Sequence, residues 1–180
     1  MKKPIIVGIV ILVPAIVIGA LWFLLFGAYT LKGERYLNSK WDGTKDYFNQ
    51  NNIGHYKAFT FQIHHKTMLI FESDATTLVA TYSPEEYENQ VENLKTEISF
   101  LKGEKGDIYG DFEMGEWHFE VCDFKECIYP KDFAMVAFCE KSNQIAYLEF
   151  YDMDLDTLSG GKNGETMPAF VRSYFRYRFE

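Results

Sequence analysis

The sequence lacks the short motifs by which many nucleotide-binding and acyl-transfer enzymes are identified. No Gly-x-Ser-x-Gly, no phosphate-binding loop and no Gly-x-Gly-x-x-Gly occurs among its 180 residues. The Cys-x-x-Cys and His-x-x-x-His spacings that gather zinc ligands are also missing. The sequence therefore predicts no cofactor, and no motif identifies a catalytic residue.

Basic residues are outnumbered by acidic residues in most of the chain. Lys2 and Lys3 precede an uncharged stretch, and residues 32–180 carry the other 16 basic residues against 26 acidic ones, a net charge of −10. A surface of this sign repels nucleic acid and anionic lipid. We therefore expect no nucleic-acid partner.

Cysteine is rare as well, and three cysteines cannot all pair within one chain. Cys122 and Cys127 are separated by four residues, which allows a disulfide in an oxidising compartment. Cys139 follows the apolar residues 136–138, so we predict that it is a small buried hydrophobe.

Charge is absent from residues 4–31, a stretch of 28 residues between Lys3 and Lys32. As a helix it would reach about 42 Å, compared with about 30 Å for the hydrocarbon core of a bilayer. The pattern predicts an uncleaved transmembrane anchor over residues 4–31. A cleaved signal peptide and a buried core helix are the alternatives.

This anchor implies a single-pass membrane protein in which the bilayer is a partner through residues 4–31. Residues 1–3 would form a cytoplasmic tip, residues 32–54 a juxtamembrane linker, and residues 55–180 a globular domain. Long C-terminal domains are translocated largely regardless of their charge, so this signal-anchor arrangement predicts an extracytoplasmic domain. The absence of any Asn-x-Ser/Thr sequence fits a bacterial cell envelope at least as well as a eukaryotic lumen.

An amphipathic helix is predicted over residues 83–102. Ser83 stands at the cap position, Pro84 at the first helical position, and Glu86 three residues after the cap. Tyr82 and Tyr87 can form a hydrophobic staple across this start. Apolar residues then recur at helical spacing until Gly103, namely Val91, Leu94, Ile98 and Leu101.

The remaining pattern indicates strands and one further helix. Residues 59–63, 68–71, 76–82, 108–112, 117–124, 133–140 and 144–152 are strand-like, with a tight turn at Ser142-Asn143. Residues 168–175 have the spacing of a short C-terminal helix. The predicted class is α+β, an antiparallel-rich sheet with one amphipathic helix and a short C-terminal helix, preceded by the transmembrane helix.

The alternating carboxylates Asp152, Asp154 and Asp156 are the best approach to a metal-binding motif. Alternate acids ahead of a turn gather oxygen ligands in calcium loops. Here Thr157 occupies the position where such a loop needs glycine, and Asn163 the position of the closing glutamate. We therefore predict no metal site, and solvated acids at a strand end explain these residues.

The histidines do not form a converging set of metal ligands or catalytic groups. His64 and His65 point to opposite faces of an extended strand, and His55 lies apart from them. His118 and Cys122 share a face of a predicted strand but would lie about 13 Å apart, whereas His118 could pair with Cys139 across adjacent strands, although no third residue is available to orient it. We predict surface histidines and no catalytic residue.

The predicted amphipathic helix is preceded by a Lys-Lys-flanked span and a polar stem. It begins within the segment Thr81 to Glu88, which has the sequence Thr-Tyr-Ser-Pro-Glu-Glu-Tyr-Glu. This arrangement resembles uncharacterised small single-span membrane-anchored proteins of Gram-positive bacteria. The resemblance covers residues 75–102 and the anchor. Such proteins have no assigned function, so it implies no catalytic residues.

These observations predict a membrane-tethered extracytoplasmic binding or interaction domain that captures an unknown protein or envelope ligand. One alternative is a hydrolase-like enzyme whose groups are distant in sequence, with a pocket lined by Asp152, Asp154, His118 or Cys139. Another is an accessory subunit of a membrane complex that packs through its span, where Gly8 and Gly19 permit close helix contact.

Overall fold

The structure is a computed structural model that describes residues 3–33, 47–48, 50–69, 71–158 and 166–179. The described part contains four α-helices and one short 3-10 helix, Glu140–Ser142. The α-helices are α1 (Lys3–Phe26), α2 (Gln50–Ile53), α3 (Pro84–Glu97) and α4 (Thr166–Tyr174).

Nine strands accompany these helices in the described ranges, and seven of them form one antiparallel sheet in the order β1-β2-β3-β9-β8-β7-β6. The strands are β1 (Ala28–Lys32), β2 (Ala58–Met68), β3 (Phe71–Thr81), β4 (Glu104–Lys105), β5 (Ile108–Tyr109), β6 (Asp111–Met114), β7 (Trp117–Val121), β8 (Asp132–Cys139) and β9 (Gln144–Asp152). Strands β4 and β5 pair separately. The α+β class is therefore confirmed.

Each face of the sheet has its own apolar core. On one face, α4 contributes Phe170 and Val171 to a cluster with Phe133 and Phe150 of the central strands. On the opposite face, residues of α3 pack with others from the same strands, including Tyr87, Leu94, Val136 and Tyr147. Successive residues of a strand point to opposite faces, so the buried residues of β8 and β9 are apolar on both faces, with the exception of Glu149.

The predicted start of the central helix is confirmed. The Ser83 side chain accepts a hydrogen bond from the Glu86 backbone, and the Glu86 side chain accepts one from the Ser83 backbone. The helix ends earlier than residue 102, because Ile98 is already extended. The following residues pair with the end of β7, where the Leu101 N–H donates to the Val121 carbonyl at 2.8 Å.

Other predicted elements are found with shifted bounds. Strand β9 covers residues 144–152 as predicted, and Asn143 takes the left-handed conformation (φ 50°) in the turn that precedes it. The strands predicted at 59–63, 68–71 and 76–82 are instead one long hairpin, β2 and β3. Leu69 supplies its positive-φ turn position (φ 62°), which a leucine does not signal in sequence.

The prediction of a transmembrane anchor over residues 4–31 is wrong. Across the described ranges, no helix combines the length and the apolar character that crossing a bilayer requires. Moreover, α1 ends at Phe26, and residues 28–32 form β1, which pairs with residues 62–66 of β2. The Thr67 N–H also donates to the Gly27 carbonyl at 2.8 Å, so the end of the predicted span belongs to the sheet.

This correction removes the predictions that depend on the anchor. The single-pass membrane location, the extracytoplasmic placement through a signal-anchor and the accessory subunit packed through its span all required the helix to cross a bilayer. Apart from its chain neighbours and the backbone of its own helix, no heavy atom of the described residues lies within 4 Å of the position that a side-chain carbon at Gly19 would take, so no close contact with another described helix is found there. Most of the predicted linker, residues 34–46 and 49, lies outside the described residues.

Candidate functional site

A cavity of about 340 Å³ lies between α4 and the part of the sheet formed by β1, β2 and β3. Cationic groups and hydroxyls supply its polar lining, and both α4 and the described segment after β9 supply apolar walls. The lining residues are Ala28, His64, Lys66, Ser73, Ala75, Leu155, Leu158, Phe170, Ser173, Tyr174 and Arg176.

Strand register explains why the polar groups of β2 meet here. His64 lies opposite Ala75, and Lys66 lies opposite both Ser73 and Ala28. Residues two apart in a strand share a face. Because Ala75 packs in the α4-side core, His64 and Lys66 also face α4.

Two cations stand at the rim of the cavity. Lys66 and Arg176 are exposed, and neither forms a salt bridge with any residue that the structure describes. Arg176 is held beside the cavity because Phe175 and Phe179, on either side of it in sequence, are buried. Two cations without a described salt bridge therefore converge locally in a chain whose net charge is −8.

His64 is a buried third member of this group. Its Nδ1 lies 3.0 Å from the Thr30 Oγ1 of β1. Burial lowers the pKa of His64, and the nearby Arg176 and Lys66 charges lower it further. The imidazole is therefore neutral at pH 7, and it becomes an additional cation only in more acidic solution.

Hydroxyl groups complete the polar lining. The Ser173 Oγ donates a hydrogen bond to the Phe170 carbonyl at 3.0 Å, which uses its proton within α4. Burial raises the pKa of Tyr174, and the Asp152 carboxylate adds to this shift by its charge and by accepting a hydrogen bond from the phenol. Oxygen lone pairs and an unionised phenol thus border the cations.

A second, more open cavity of about 230 Å³ continues from the first. The two share Lys66, Ser73, Leu155 and Tyr174. The acidic residues of the second cavity are Glu72, Asp152 and Asp154. The combined cleft therefore has a cationic end and an acidic end, with Lys66 between them.

The three candidate aspartates do not converge. Asp152 Oδ1 accepts a hydrogen bond from the Asp154 N–H at 3.0 Å, which stabilises the turn after β9. Asp156 is instead engaged by Lys131, whose Nζ lies 2.8 Å from its Oδ1. No trio of His, Cys, Asp or Glu side chains within the described ranges is arranged to hold a metal ion.

Beyond the cavity, the same face of β2 and β3 carries another polar pair. Gln62 and Thr77 lie directly opposite each other and are buried. The Gln62 Oε1 and the Thr77 Oγ1 have no hydrogen-bond partner among the described residues. Buried polar atoms of this kind are uncommon, so the polar character of this strand pair extends past His64.

The other histidines are not in the cavity. His65 pairs with Asp74 at 2.8 Å, His118 pairs with Glu113 at 2.7 Å, and His55 is exposed. His118 lies opposite Phe138 in the α3-side core, whereas Cys139 packs on the α4 side. The structure therefore does not bring His118 and Cys139 together as a base and a nucleophile.

All three cysteines are free thiols. The Cys127 Sγ lies 3.7 Å from the Cys122 backbone carbonyl. Cys122 is fully buried, and burial raises the pKa of its thiol well above the usual value. The disulfide between Cys122 and Cys127 stays a prediction for oxidising conditions.

The cationic cavity was missed in the sequence. The one local sequence pattern that points to this cavity is the placement of His64 and Lys66 two residues apart on one strand. That pattern is common on half-exposed strands, so it does not identify a site. Arg176 is far away in sequence and reaches the cavity through the packing of α4. Comparisons with protein-family models, curated proteins and solved structures find no match to this chain.

Proposed function

We propose that this chain is a binding domain for a small anionic ligand, which it holds in the cavity between α4 and strands β1–β3. The observation that carries the proposal is the convergence of Lys66, Arg176 and His64 on one cavity. The volume of about 340 Å³ lies at the lower end of the range for small-molecule pockets.

The chemistry of the lining favours a carboxylate or phosphate group. An arginine guanidinium donates two parallel hydrogen bonds to such groups, and a lysine ammonium adds a compact charge. A partly buried cavity strengthens these contacts, because water screens them less than on an open surface. Phe170, Leu155 and Leu158 would contact an apolar part of the ligand.

Binding without reaction is the simplest task for these groups. A nucleophilic hydroxyl requires a base within hydrogen-bond reach. The Ser173 hydroxyl donates to a backbone carbonyl, and the His64 Nδ1 contacts Thr30. This cavity therefore gives no specific support to the hydrolase-like alternative.

Titration of the full chain with succinate and with inorganic phosphate tests the proposal. We expect Arg176→Gln and Lys66→Gln each to weaken binding about tenfold or more, since charged hydrogen bonds contribute about 1.5–3 kcal/mol. Arg172→Gln is the matched control, because Arg172 is exposed on α4 and does not line the cavity. Equal affinities for all three variants, or no binding of either anion, would overturn the proposal.

A further inference from the structure

A different surface is found on the α3 side of the sheet. On β7, Trp117, Phe119 and Val121 pack in the α4-side core, so the residues between them, His118 and Glu120, face the other way. The same alternation on β6 places Asp111 and Glu113 beside them, because Phe112 and Met114 pack toward α4. The α3-side face of β6 and β7 therefore carries charged side chains.

A groove of about 680 Å³ runs along α3 beside this face, and it is the largest of the three cavities described. Its floor is apolar, since Tyr87 and Val91 of α3 meet Phe138 of β8 there. Phe138 is 7% exposed. Tyr87 is buried to the same extent and Val91 is half-buried, so an apolar group of a ligand would contact the floor chiefly at Val91.

The walls of the groove are predominantly acidic. Glu88 and Glu92 belong to α3, and Glu140 follows β8. Lys95, whose Nζ lies 5.8 Å from the centre of the Phe138 ring, is the one lysine in the lining. At the adjoining sheet face, Glu113 and Glu120 lie 2.7 and 3.5 Å from the two ring nitrogens of His118.

From this geometry we infer that the groove docks a basic peptide segment of a partner protein, one that presents lysine or arginine side chains around an apolar residue. Charge complementarity selects this occupant, because glutamates surround an apolar floor. A second copy of this chain fits poorly, since two molecules of net charge −8 repel each other. The inference is independent of the anion cavity, with which the groove shares no lining residue.

The probe is a short fluorescein-labelled peptide of lysines around one phenylalanine, added to the full chain in an anisotropy titration. We expect the double variant Glu88→Gln/Glu92→Gln to weaken binding about tenfold. The matched control Glu104→Gln/Glu126→Gln removes the same charge from exposed residues outside the groove and should bind as tightly as the unaltered chain.

A second peptide, with the phenylalanine replaced by alanine, tests the apolar floor. We expect the alanine peptide to bind the unaltered chain more weakly than the phenylalanine peptide does. The substitution Val91→Ser should then lower the affinity of the phenylalanine peptide more than it lowers the affinity of the alanine peptide. Equal affinity of both peptides, or an equal loss in the two double variants, would show unspecific attraction by net charge and overturn the inference. An unchanged thermal unfolding midpoint of Glu88→Gln/Glu92→Gln would confirm that the variant is folded.

Discussion

The hydroxyl oxygens of Tyr82 and Tyr147 lie 3.1 Å apart in the core beneath α3. Tyr82 also donates a hydrogen bond to the Ile53 carbonyl at 2.6 Å, and the Gln90 Nε2 donates to the Tyr147 oxygen at 3.1 Å. Burial raises the pKa of both tyrosines, so they remain neutral. The pair thereby connects α2, α3 and the sheet through a buried polar network.

Removing one hydroxyl from this network is expected to destabilise the fold. Tyr147→Phe removes the hydrogen bonds that this oxygen makes with the Gln90 Nε2 and the Asn52 carbonyl, and the loss of a hydrogen bond lowers the free energy of unfolding by about 1 kcal/mol. Urea denaturation measures this change, with Tyr109→Phe at an exposed position as the control. If Tyr82→Phe and Tyr147→Phe are additive in the double variant, the two hydroxyls are not coupled and the network is misassigned.

The cap of α3 gives a second prediction. Ser83→Ala removes the acceptor for the Glu86 N–H and is expected to lower the free energy of unfolding by about 1 kcal/mol. Ser99→Ala, at an exposed position after the helix, should have little effect. Equal thermal midpoints for the two variants would show that the cap does not stabilise this helix.

The pH dependence of stability follows from His64. Its pKa is lowered in the folded state from an ordinary value of 6.5, so the unfolded chain takes up the proton first as the solution becomes acidic. This group therefore favours folding at neutral pH and disfavours it progressively as the pH falls below about 6.5.

Urea denaturation at neutral and mildly acidic pH, compared between the unaltered chain and His64→Gln, isolates this contribution. Glutamine does not titrate, and all other acids and bases are common to both proteins. We expect the loss of stability on acidification to be smaller in His64→Gln. An equal or larger loss in the variant would contradict the assignment.

Thr77 gives a prediction of the opposite sign. Its buried hydroxyl lacks a partner among the described residues, and valine has nearly the same shape. Thr77→Val is therefore expected to raise the free energy of unfolding by about 1 kcal/mol, because the unpaired hydroxyl no longer loses its hydration on folding. Thr60→Val, at an exposed position of β2, is the control. A clear loss of stability in Thr77→Val would mean that the hydroxyl is bonded.

The cysteines should differ in reactivity. Cys127 is partly exposed, whereas Cys122 and Cys139 are buried. Brief treatment of the folded protein with iodoacetamide should modify Cys127 first, and peptide mass mapping identifies the site. Modification of all three cysteines at similar rates would contradict the burial of Cys122 and Cys139.

Peptide mass mapping after mild oxidation tests the predicted Cys122–Cys127 disulfide.

Local signals in the sequence predicted local structure well. The cap at Ser83 and Glu86 marked the start of α3, and the turn before Gln144 marked the last hairpin. Each depends on a few consecutive residues whose backbone preferences agree with the final fold. The α+β class followed from these elements.

Features that depend on distant contacts could not be predicted. Strand β1 lay hidden at the end of an uncharged stretch, and only its pairing with β2 makes it a strand. The cationic cavity depends on the position of α4, which brings Arg176 beside His64. Nothing in the residues near either group indicates that they meet.

Pairing with β1 also protects β2 from other molecules. Residues 28–32 form backbone hydrogen bonds with residues 62–66, which would otherwise form an exposed edge of the sheet. Unpaired edge strands pair with strands of neighbouring chains and promote aggregation. A shortened protein that begins after residue 33 would keep α3, α4 and both cores but would expose this edge, so we expect it to fold but to be less soluble.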